Sequence, residues 1–390
     1  MSSSLPNRPS SILLQEPFRL FFPTATLVSI LGVSLWPLVY AGWLPFYPGE
    51  AHTRLMIEGF VSGFAIGFLT TAFPKEIECP PLTGVELTII YLAYLGTVTC
   101  HSLGQILAGD MLFLTTWTLL LCALAIRFVF FKKDLSVPGF IVALLGILSG
   151  LAGALLLILY RLHYTGELTS RLGALLLNEA FILGPILGVG SFLFARFFNS
   201  QNTVSFKDRW YRSTPSTIVL ALLIYATFFL QIYRFETAAP ILRAVLVVLF
   251  LFLQIFEGSR FTKTGPLTIL LYAALGSLTM GILVSGFSSH TQVAFKHLLF
   301  ISGYGLLILT IATRVIGGHI GKCPLLFFRK KPLYWILGFI LMAAATRVIA
   351  DLIPTIRVSH HIYASLCWIV SVSIWAIAVM RYITTVDPEP

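Results

Sequence analysis

The feature that most constrains this chain is a succession of apolar segments, each long enough to cross a lipid bilayer. One of them runs from Leu298 to Ile316 and holds a single charged residue, Arg314, near its end. About 20 such residues, folded as a helix, span the bilayer core of about 30 Å. Segments of this kind predict an all-α fold, a polytopic transmembrane helical bundle of about twelve helices. The predicted spans are residues 18–42, 54–73, 85–107, 111–131, 137–161, 173–198, 214–234, 238–257, 265–287, 293–316, 333–354 and 359–382.

Composition agrees with a membrane protein and leaves no room for a soluble domain. The chain is 57% hydrophobic and 11% charged, whereas soluble domains have about 25% charged residues. The predicted organisation is a tail over residues 1–17, a transmembrane domain over 18–382 and a second tail over 383–390. We interpret the net charge of +10 as basic cytoplasmic loops, so the expected partner is membrane lipid and not nucleic acid.

The distribution of Lys and Arg predicts an orientation. These residues concentrate in the N-terminal tail, in the loops that follow even-numbered spans, and at the C-terminus, so both termini are expected in the cytoplasm. The opening SSSLPNRPSS shows no signal-peptide cleavage pattern, and the first span is expected to be retained. The five Cys form neither CxxC nor CxxCH, which argues against a dithiol site and against covalently attached haem.

Histidines at the ends of spans are the strongest candidates for chemistry. His52 precedes the second span, His101 lies near the end of the third and His297 opens the tenth, all near the predicted outer face. Imidazole is a common ligand of metal ions and of haem iron, although a structural role at a helix end stays open for each residue. His319 falls at the inner face, about 33 Å from His297 along a continuous helix, and belongs to a separate inner site or to loop packing.

The second span carries a stripe of small residues, Gly59, Gly63 and Gly67, at intervals of four. Such a stripe packs closely against another helix, or it provides a flat surface for a planar ligand. Arg54 and Glu58 are four residues apart on the same helix and are expected to form an ion pair.

The tenth span has a similar feature, since Gly303 and Gly305 flank Tyr304. The sequence after this span, Gly317 to Lys322, is glycine-rich and is not expected to continue the helix firmly. No internal repeat is obvious, which weakens an inverted-repeat transporter. Further charges at membrane depth favour interhelical ion pairs over a proton pathway. They are Glu179, Arg243, Glu257, Arg347 and Asp351.

Three stretches of the chain resemble the NnrS family of twelve-span bacterial membrane proteins. The first is PFRLFFPTATLVSILGVSLW at residues 17–36, which is similar to the family's GFRPFFL-type start. The second is AHTRLMIEGFVSGFAIGFLTTAFP at 51–74, similar to HAHEMLFGFAAAVIAGFLLTAVP. The third is KHLLFISGYGLLILTIATRVIGGHIGKCPL at 296–325, similar to LHALTVGAIGTMILAVMTRASLGHTGRPL, in which His297, Arg314 and His319 are matched.

This chain departs from the family pattern at two histidines. Of the two in the HAHE motif only the first is kept, as His52, while the second is Arg54 and the following Glu is Leu55. The family histidine of the ninth helix has no counterpart near Ile269 to Tyr272. Copper, one of the two metals linked to the family, is therefore less expected than haem.

The resemblance implies an integral haem b protein of the bacterial inner membrane, involved in the response to nitric oxide or nitrosative stress. It implies His52 and His297 as iron ligands near the outer face, with Arg54 paired to Glu58 or to a haem propionate. The remaining residues expected near a cofactor or metal are Gly59, Gly63, Tyr304, His101 and His319, with His361 in reserve. An enzyme and an accessory protein without turnover both fit this description. A cofactor-free twelve-helix permease or exporter is the alternative from another class.

Overall fold

The structure is a computed structural model that describes residues 9–134, 139–197, 206–253, 265–319 and 330–385. Within these residues we number thirteen helices and find no strand, so the predicted all-α class is confirmed. The helices are α1 (Pro9–Gln15), α2 (Phe18–Tyr40), α3 (Gly49–Glu76), α4 (Gly84–Ser102), α5 (Ile106–Phe130), α6 (Gly139–Arg161), α7 (167–197), α8 (Phe206–Ile232), α9 (Ala238–Leu251), α10 (Pro266–Ser285), α11 (Gln292–His319), α12 (Lys330–Leu352) and α13 (Arg357–Val379). Short 3-10 turns occupy Ser289–Thr291, Pro354–Ile356 and Met380–Tyr382.

Helices α2 to α13 correspond in order to the twelve predicted spans. Among the described residues, ten helices are long and apolar enough to cross a membrane. The two others are α4 and α9, of which α9 has 14 residues. The multi-pass membrane architecture therefore stands.

The expectation that glycines would end the helix after Ile316 is wrong. Helix α11 continues through Gly317 and Gly318 to His319. Gly317 is buried, and Nδ1 of His319 donates a hydrogen bond to the carbonyl of Val315 at 2.9 Å, which supports the last turn. Residues 320–322, the rest of the glycine-rich segment, lie outside the described ranges.

Within the described residues, three helices contain a complete π-helical segment, in which the backbone is wound more widely than in an α-helix, and a further π-helical stretch begins at Phe252 where the described range ends. The three complete segments are Leu55–Val61 in α3, Leu176–Ala180 in α7 and Leu298–Gly305 in α11. π-helical segments are rare and occur frequently at functional sites. The side chains on these three helices are therefore candidates for a functional site.

The chain divides into two compact units. The first contains residues 1–31 and 50–136, and the second contains residues 32–49 and 137–390. The first unit therefore holds α1, most of α2, and α3 to α5, while the second holds α6 to α13.

In the first unit, the glycine stripe of α3 is a packing surface for its neighbours. A Cβ atom added to Gly59 would lie 2.5 Å from Val28 of α2, and one added to Gly63 would lie 2.5 Å from the Tyr94 hydroxyl of α4. A Cβ atom on Gly67 would meet α2 at 2.8 Å. Close helix packing therefore accounts for the stripe, while the predicted contact of Gly59 and Gly63 with a cofactor stays a prediction.

In the second unit, α6 and α7 approach each other through a pair of glycines. A Cβ atom on Gly184 would lie 2.5 Å from Cα of Gly146, and one on Gly146 would lie 2.7 Å from Cα of Gly184. The Tyr225 hydroxyl also obstructs this crossing, but the glycine atoms belong to the backbone and cannot rotate away. Small residues at such a crossing permit the close contact on which helix association in membranes depends.

Gly184→Ala is expected to destabilise the protein by about 1–3 kcal/mol, because the added methyl group forces α6 and α7 apart. The matched control is Gly276→Ala on α10, where a Cβ atom would have nothing within 4 Å. That change should be neutral or stabilising by up to about 1 kcal/mol, because Ala favours the helix. Thermal unfolding of both variants in detergent tests the contact, and equal midpoints would refute it.

Candidate functional site

A cluster of charged side chains lies between α3, α4 and α5 in the first unit. We call Arg54, Glu58, His101 and Asp110 the α3–α5 cluster. Arg54 lies one helical turn before Glu58, which is in the π-helical segment of α3. His101 is at the end of α4, and Asp110 is in the second turn of α5. The side chains of Glu58, His101 and Asp110 are all 0% exposed.

The chain brings His101 and Asp110 together by a tight turn. Helix α4 ends at Ser102 and α5 begins at Ile106, and between them Gly104 adopts a left-handed φ of +73°. Glycine takes this conformation without the steric cost that a side chain would add. The turn therefore allows the last residues of one helix to face the first residues of the next.

Arg54 holds two carboxylates. Its Nε lies 2.7 Å from Oδ1 of Asp110 and 3.2 Å from Oε1 of Glu58. The predicted Arg54–Glu58 ion pair is confirmed, but Asp110 is the closer partner and was not predicted. An unpaired guanidinium at membrane depth is costly, which explains why Arg54 is buried against carboxylates.

His101 is fixed by a hydrogen bond and by the backbone of α5. Its Nε2 donates to Oε2 of Glu58 at 2.8 Å, since a carboxylate oxygen accepts. Its ring lies directly on Gly109, where an added Cβ atom would overlap the imidazole. His101, predicted as a possible metal ligand, is thus held beside Glu58 and Asp110.

The α3–α5 cluster carries more negative than positive charge. A third carboxylate, Glu50, lies 4.0 Å from Arg54, although its side chain is 48% exposed. With neutral His101, one buried guanidinium therefore faces two buried carboxylates, Glu58 and Asp110, while the exposed Glu50 is in contact with solvent. Burial of uncompensated charge is expensive, so this excess calls for a further cation, either a proton or a metal ion.

The second unit holds a cluster with the opposite balance of charge. Glu179, in the π-helical segment of α7, pairs with Arg243 at 3.2 Å and with Lys296 at 2.7 Å. Arg243 also donates to Oγ1 of Thr227 at 2.9 Å and to Oε1 of Gln231 at 2.7 Å. Glu179 and Arg243, two of the charges expected at membrane depth, thus form an interhelical ion pair, the role that the sequence favoured for such charges.

Tyr304, predicted to lie near a cofactor, is buried beside this second cluster. Its hydroxyl donates to the backbone carbonyl of Glu179 at 3.2 Å. Its contact with a cofactor stays a prediction.

A third charged group joins the end of α12 to the start of α13. Arg347 pairs with Asp351 at 2.7 Å, as predicted, and Nε2 of His361 lies 4.0 Å from the same carboxylate. Nδ1 of His361 is 2.7 Å from the Tyr40 hydroxyl. The other charge predicted at membrane depth, Glu257, falls outside the described ranges.

The histidine predicted to open the tenth span has the hydrogen bond of a metal-ligating imidazole. Nδ1 of His297 lies 2.7 Å from the carbonyl oxygen of Val293, to which it must donate. In the neutral ring, Nε2 then carries the lone pair. Ligating histidines almost always hold the other ring nitrogen in this way. His319 makes the same kind of bond at the other end of α11.

His52 is half-buried on α3 in the first unit, whereas His297 belongs to the second. Their predicted pairing on one iron stays a prediction. Neither residue belongs to the α3–α5 cluster, which sequence reasoning did not assemble.

Ten membrane-length helices within the described residues, with buried ion pairs between them, define an integral polytopic membrane protein. The chain belongs to the NnrS family, since the family model described as NnrS protein matches residues 12–386. The resemblance seen in three stretches therefore extends over nearly the whole chain. No curated protein matches it.

Proposed function

We propose that this protein is a membrane haem protein of the NnrS type that acts in the response to nitric oxide or nitrosative stress. The observation that carries the proposal is membership of the NnrS family over residues 12–386, and the hydrogen bond from Nδ1 of His297 to the Val293 carbonyl is compatible with a ligand role for this residue.

The residues around His297 are chemically suited to haem. Haem b is held by axial imidazoles without covalent attachment, and His297 and His52 are the residues that would provide them. When bound, haem iron would supply the binding of a small diatomic ligand such as nitric oxide. Copper is the weaker expectation, and His319 would belong to a separate inner site.

The chain's own residues would orient the ligand. The Val293 carbonyl fixes the rotation of the His297 ring, and the π-helical segment that follows sets the direction of the helix below it. In this proposal the protein lies in the bacterial inner membrane with both termini in the cytoplasm.

An optical spectrum of the detergent-purified protein tests the proposal. We expect a Soret band and haem b bands after reduction, with a shift of the Soret band when nitric oxide is added to the reduced sample. Protein expressed with a haem precursor that shows no visible absorption would overturn the proposal. It would favour the cofactor-free permease instead.

A further inference from the structure

The same order of elements recurs three times along the chain. Helices α2–α5, α6–α9 and α10–α13 form three groups of four, and in each group the second helix contains the π-helical segment. These segments begin at Leu55, Leu176 and Leu298, which are 121 and 122 positions apart in the sequence.

The first two groups also agree in sequence. Residues 58–67 read EGFVSGFAIG and residues 179–188 read EAFILGPILG. A Glu, a Phe and two Gly recur at the same offsets, with the Glu inside the π-helical segment in both cases. The repeat is faint enough to be missed in the sequence alone.

Contacts made by the third helix of the first two groups agree as well. The Tyr94 hydroxyl of α4 donates to the carbonyl of Gly59 at 3.0 Å, and the Tyr225 hydroxyl of α8 donates to the carbonyl of Ala180 at 2.9 Å. In both groups the acceptor is the residue directly after the buried Glu. The first and second groups are thus local copies of one arrangement.

The α3–α5 cluster and the cluster around Glu179 therefore occupy corresponding positions in the first two groups. Each joins the π-helical Glu to the beginning of the fourth helix, where α5 carries Asp110 and α9 carries Arg243. In the second group, Arg243 is a cation built into the chain beside Glu179. In the first group, the fourth helix adds another carboxylate instead.

We propose that the α3–α5 cluster binds a first-row divalent metal ion through Glu58, His101 and Asp110. A divalent cation offsets the buried negative charge that remains when Arg54 faces both Glu58 and Asp110. The ion takes the role that a built-in cation has in the second group.

Buried atoms without partners support this assignment. Within the described part of the chain, Oδ2 of Asp110 and Oε1 of Glu58 accept no hydrogen bond, although Oε1 is near Arg54. Buried polar atoms are nearly always satisfied, and a role in ion binding is one recognised reason for an exception. If the cluster were only an ion-pair network, fewer of its buried polar atoms would lack a hydrogen-bond partner.

The spacing of the donor atoms suits a single ion. One atom from each of the three residues lies within 4.8 Å of the other two. Nε2 of His101 is 2.8 Å from Glu58 and 3.9 Å from Asp110. Ligands bound tetrahedrally at about 2.1 Å stand about 3.4 Å apart, so shifts of less than about 1 Å complete the site.

The ligand set also indicates the class of metal. One imidazole and two carboxylates suit Zn²⁺ or Mn²⁺, whereas Cu⁺ prefers sulfur ligands. Ca²⁺ requires six or more oxygen ligands, which this cluster does not offer. The site is independent of the proposed haem and requires neither His52 nor His297.

The test uses full-length protein purified in detergent and stripped with a chelator, then dialysed against ZnCl₂ or MnCl₂ with MgCl₂ as a comparison. Bound metal is measured by mass spectrometry of the elements, and thermal unfolding is followed in parallel. We expect about one Zn²⁺ or Mn²⁺ per chain and a higher unfolding midpoint with metal, because a ligand that binds only the folded state stabilises it.

Asp110→Asn and Glu58→Gln should weaken metal binding at least about 100-fold, more than loss of an outer-shell contact. Glu236→Gln, which removes an exposed carboxylate paired with Arg171, is the matched control and should bind normally. The stripped Asp110→Asn variant should unfold at the same or a higher temperature than stripped wild type, because it removes excess charge.

Three results would overturn the proposal. The first is that wild-type protein binds no stoichiometric metal, and the second is that both variants bind metal as wild type does. The third is that stripped Asp110→Asn unfolds at a lower temperature than stripped wild type, which would show that Asp110 serves only in a structural ion pair. If Asp110→Asn cannot be purified folded, Glu58→Gln and the wild-type stoichiometry still decide.

Discussion

Arg54→Leu is expected to destabilise the protein by about 3–5 kcal/mol, the cost of removing one partner from a buried ion pair. Arg54 is the guanidinium that faces Glu58 and Asp110, both 0% exposed. Without it, the two carboxylates repel each other in a region that water does not reach. We expect a large fall in the unfolding midpoint and in the yield of folded protein.

The matched control for this prediction is Arg171→Leu. Arg171 also pairs with a carboxylate, Glu236, but both side chains are exposed, and such pairs contribute about 0–1 kcal/mol. Unfolding of both variants in the same detergent gives the comparison. If Arg54→Leu unfolds at the wild-type temperature, the α3–α5 cluster does not stabilise the fold in the way argued above.

Long apolar segments made most of the fold predictable from the sequence. Each predicted span corresponds to a helix, because about 20 apolar residues leave the backbone no alternative to a helix in lipid. Helices α7 and α8, however, begin six and eight residues before their predicted starts. The Arg54–Glu58 and Arg347–Asp351 pairs were also predictable, since residues four apart share a helix face. The features that depend on residues close together in the sequence were therefore the ones that could be predicted.

The α3–α5 cluster was not predictable because it depends on three helices and a turn. Asp110 was assigned to the edge of a span that was expected to begin at residue 111, whereas α5 begins at Ile106 and buries it. It is the single acidic residue in this helix, and that signal could have indicated a partner. The close approach of His101 needed the left-handed turn at Gly104, which sequence spacing does not reveal.

The repeat was hidden for a related reason. Its clearest marker is the π-helical winding of α3, α7 and α11, a backbone feature without a sequence pattern of its own. In the third group the π-helical segment contains no Glu, and a polar pair forms instead between Arg347 and Asp351 of α12. Divergence of the side chains left the backbone arrangement recognisable.

His297→Ala is expected to remove most of the haem. The imidazole is lost together with its bond to the Val293 carbonyl, so neither a ligand nor its orienting contact remains. His52→Ala should either lose haem too or convert low-spin iron to high-spin iron, since one axial imidazole would be left. Thermal unfolding of the same samples would separate loss of haem from loss of fold.

The haem-to-protein ratio of His297→Ala, measured beside wild type and His290→Ala, tests the central claim most directly. His290 is an exposed histidine just before α11, so its removal controls for the loss of an imidazole in this region. We predict near-stoichiometric haem b in wild type and His290→Ala, and less than about a tenth of it in His297→Ala, the loss expected for an iron ligand. A His297→Ala protein that keeps wild-type haem content and spin state would contradict the assignment.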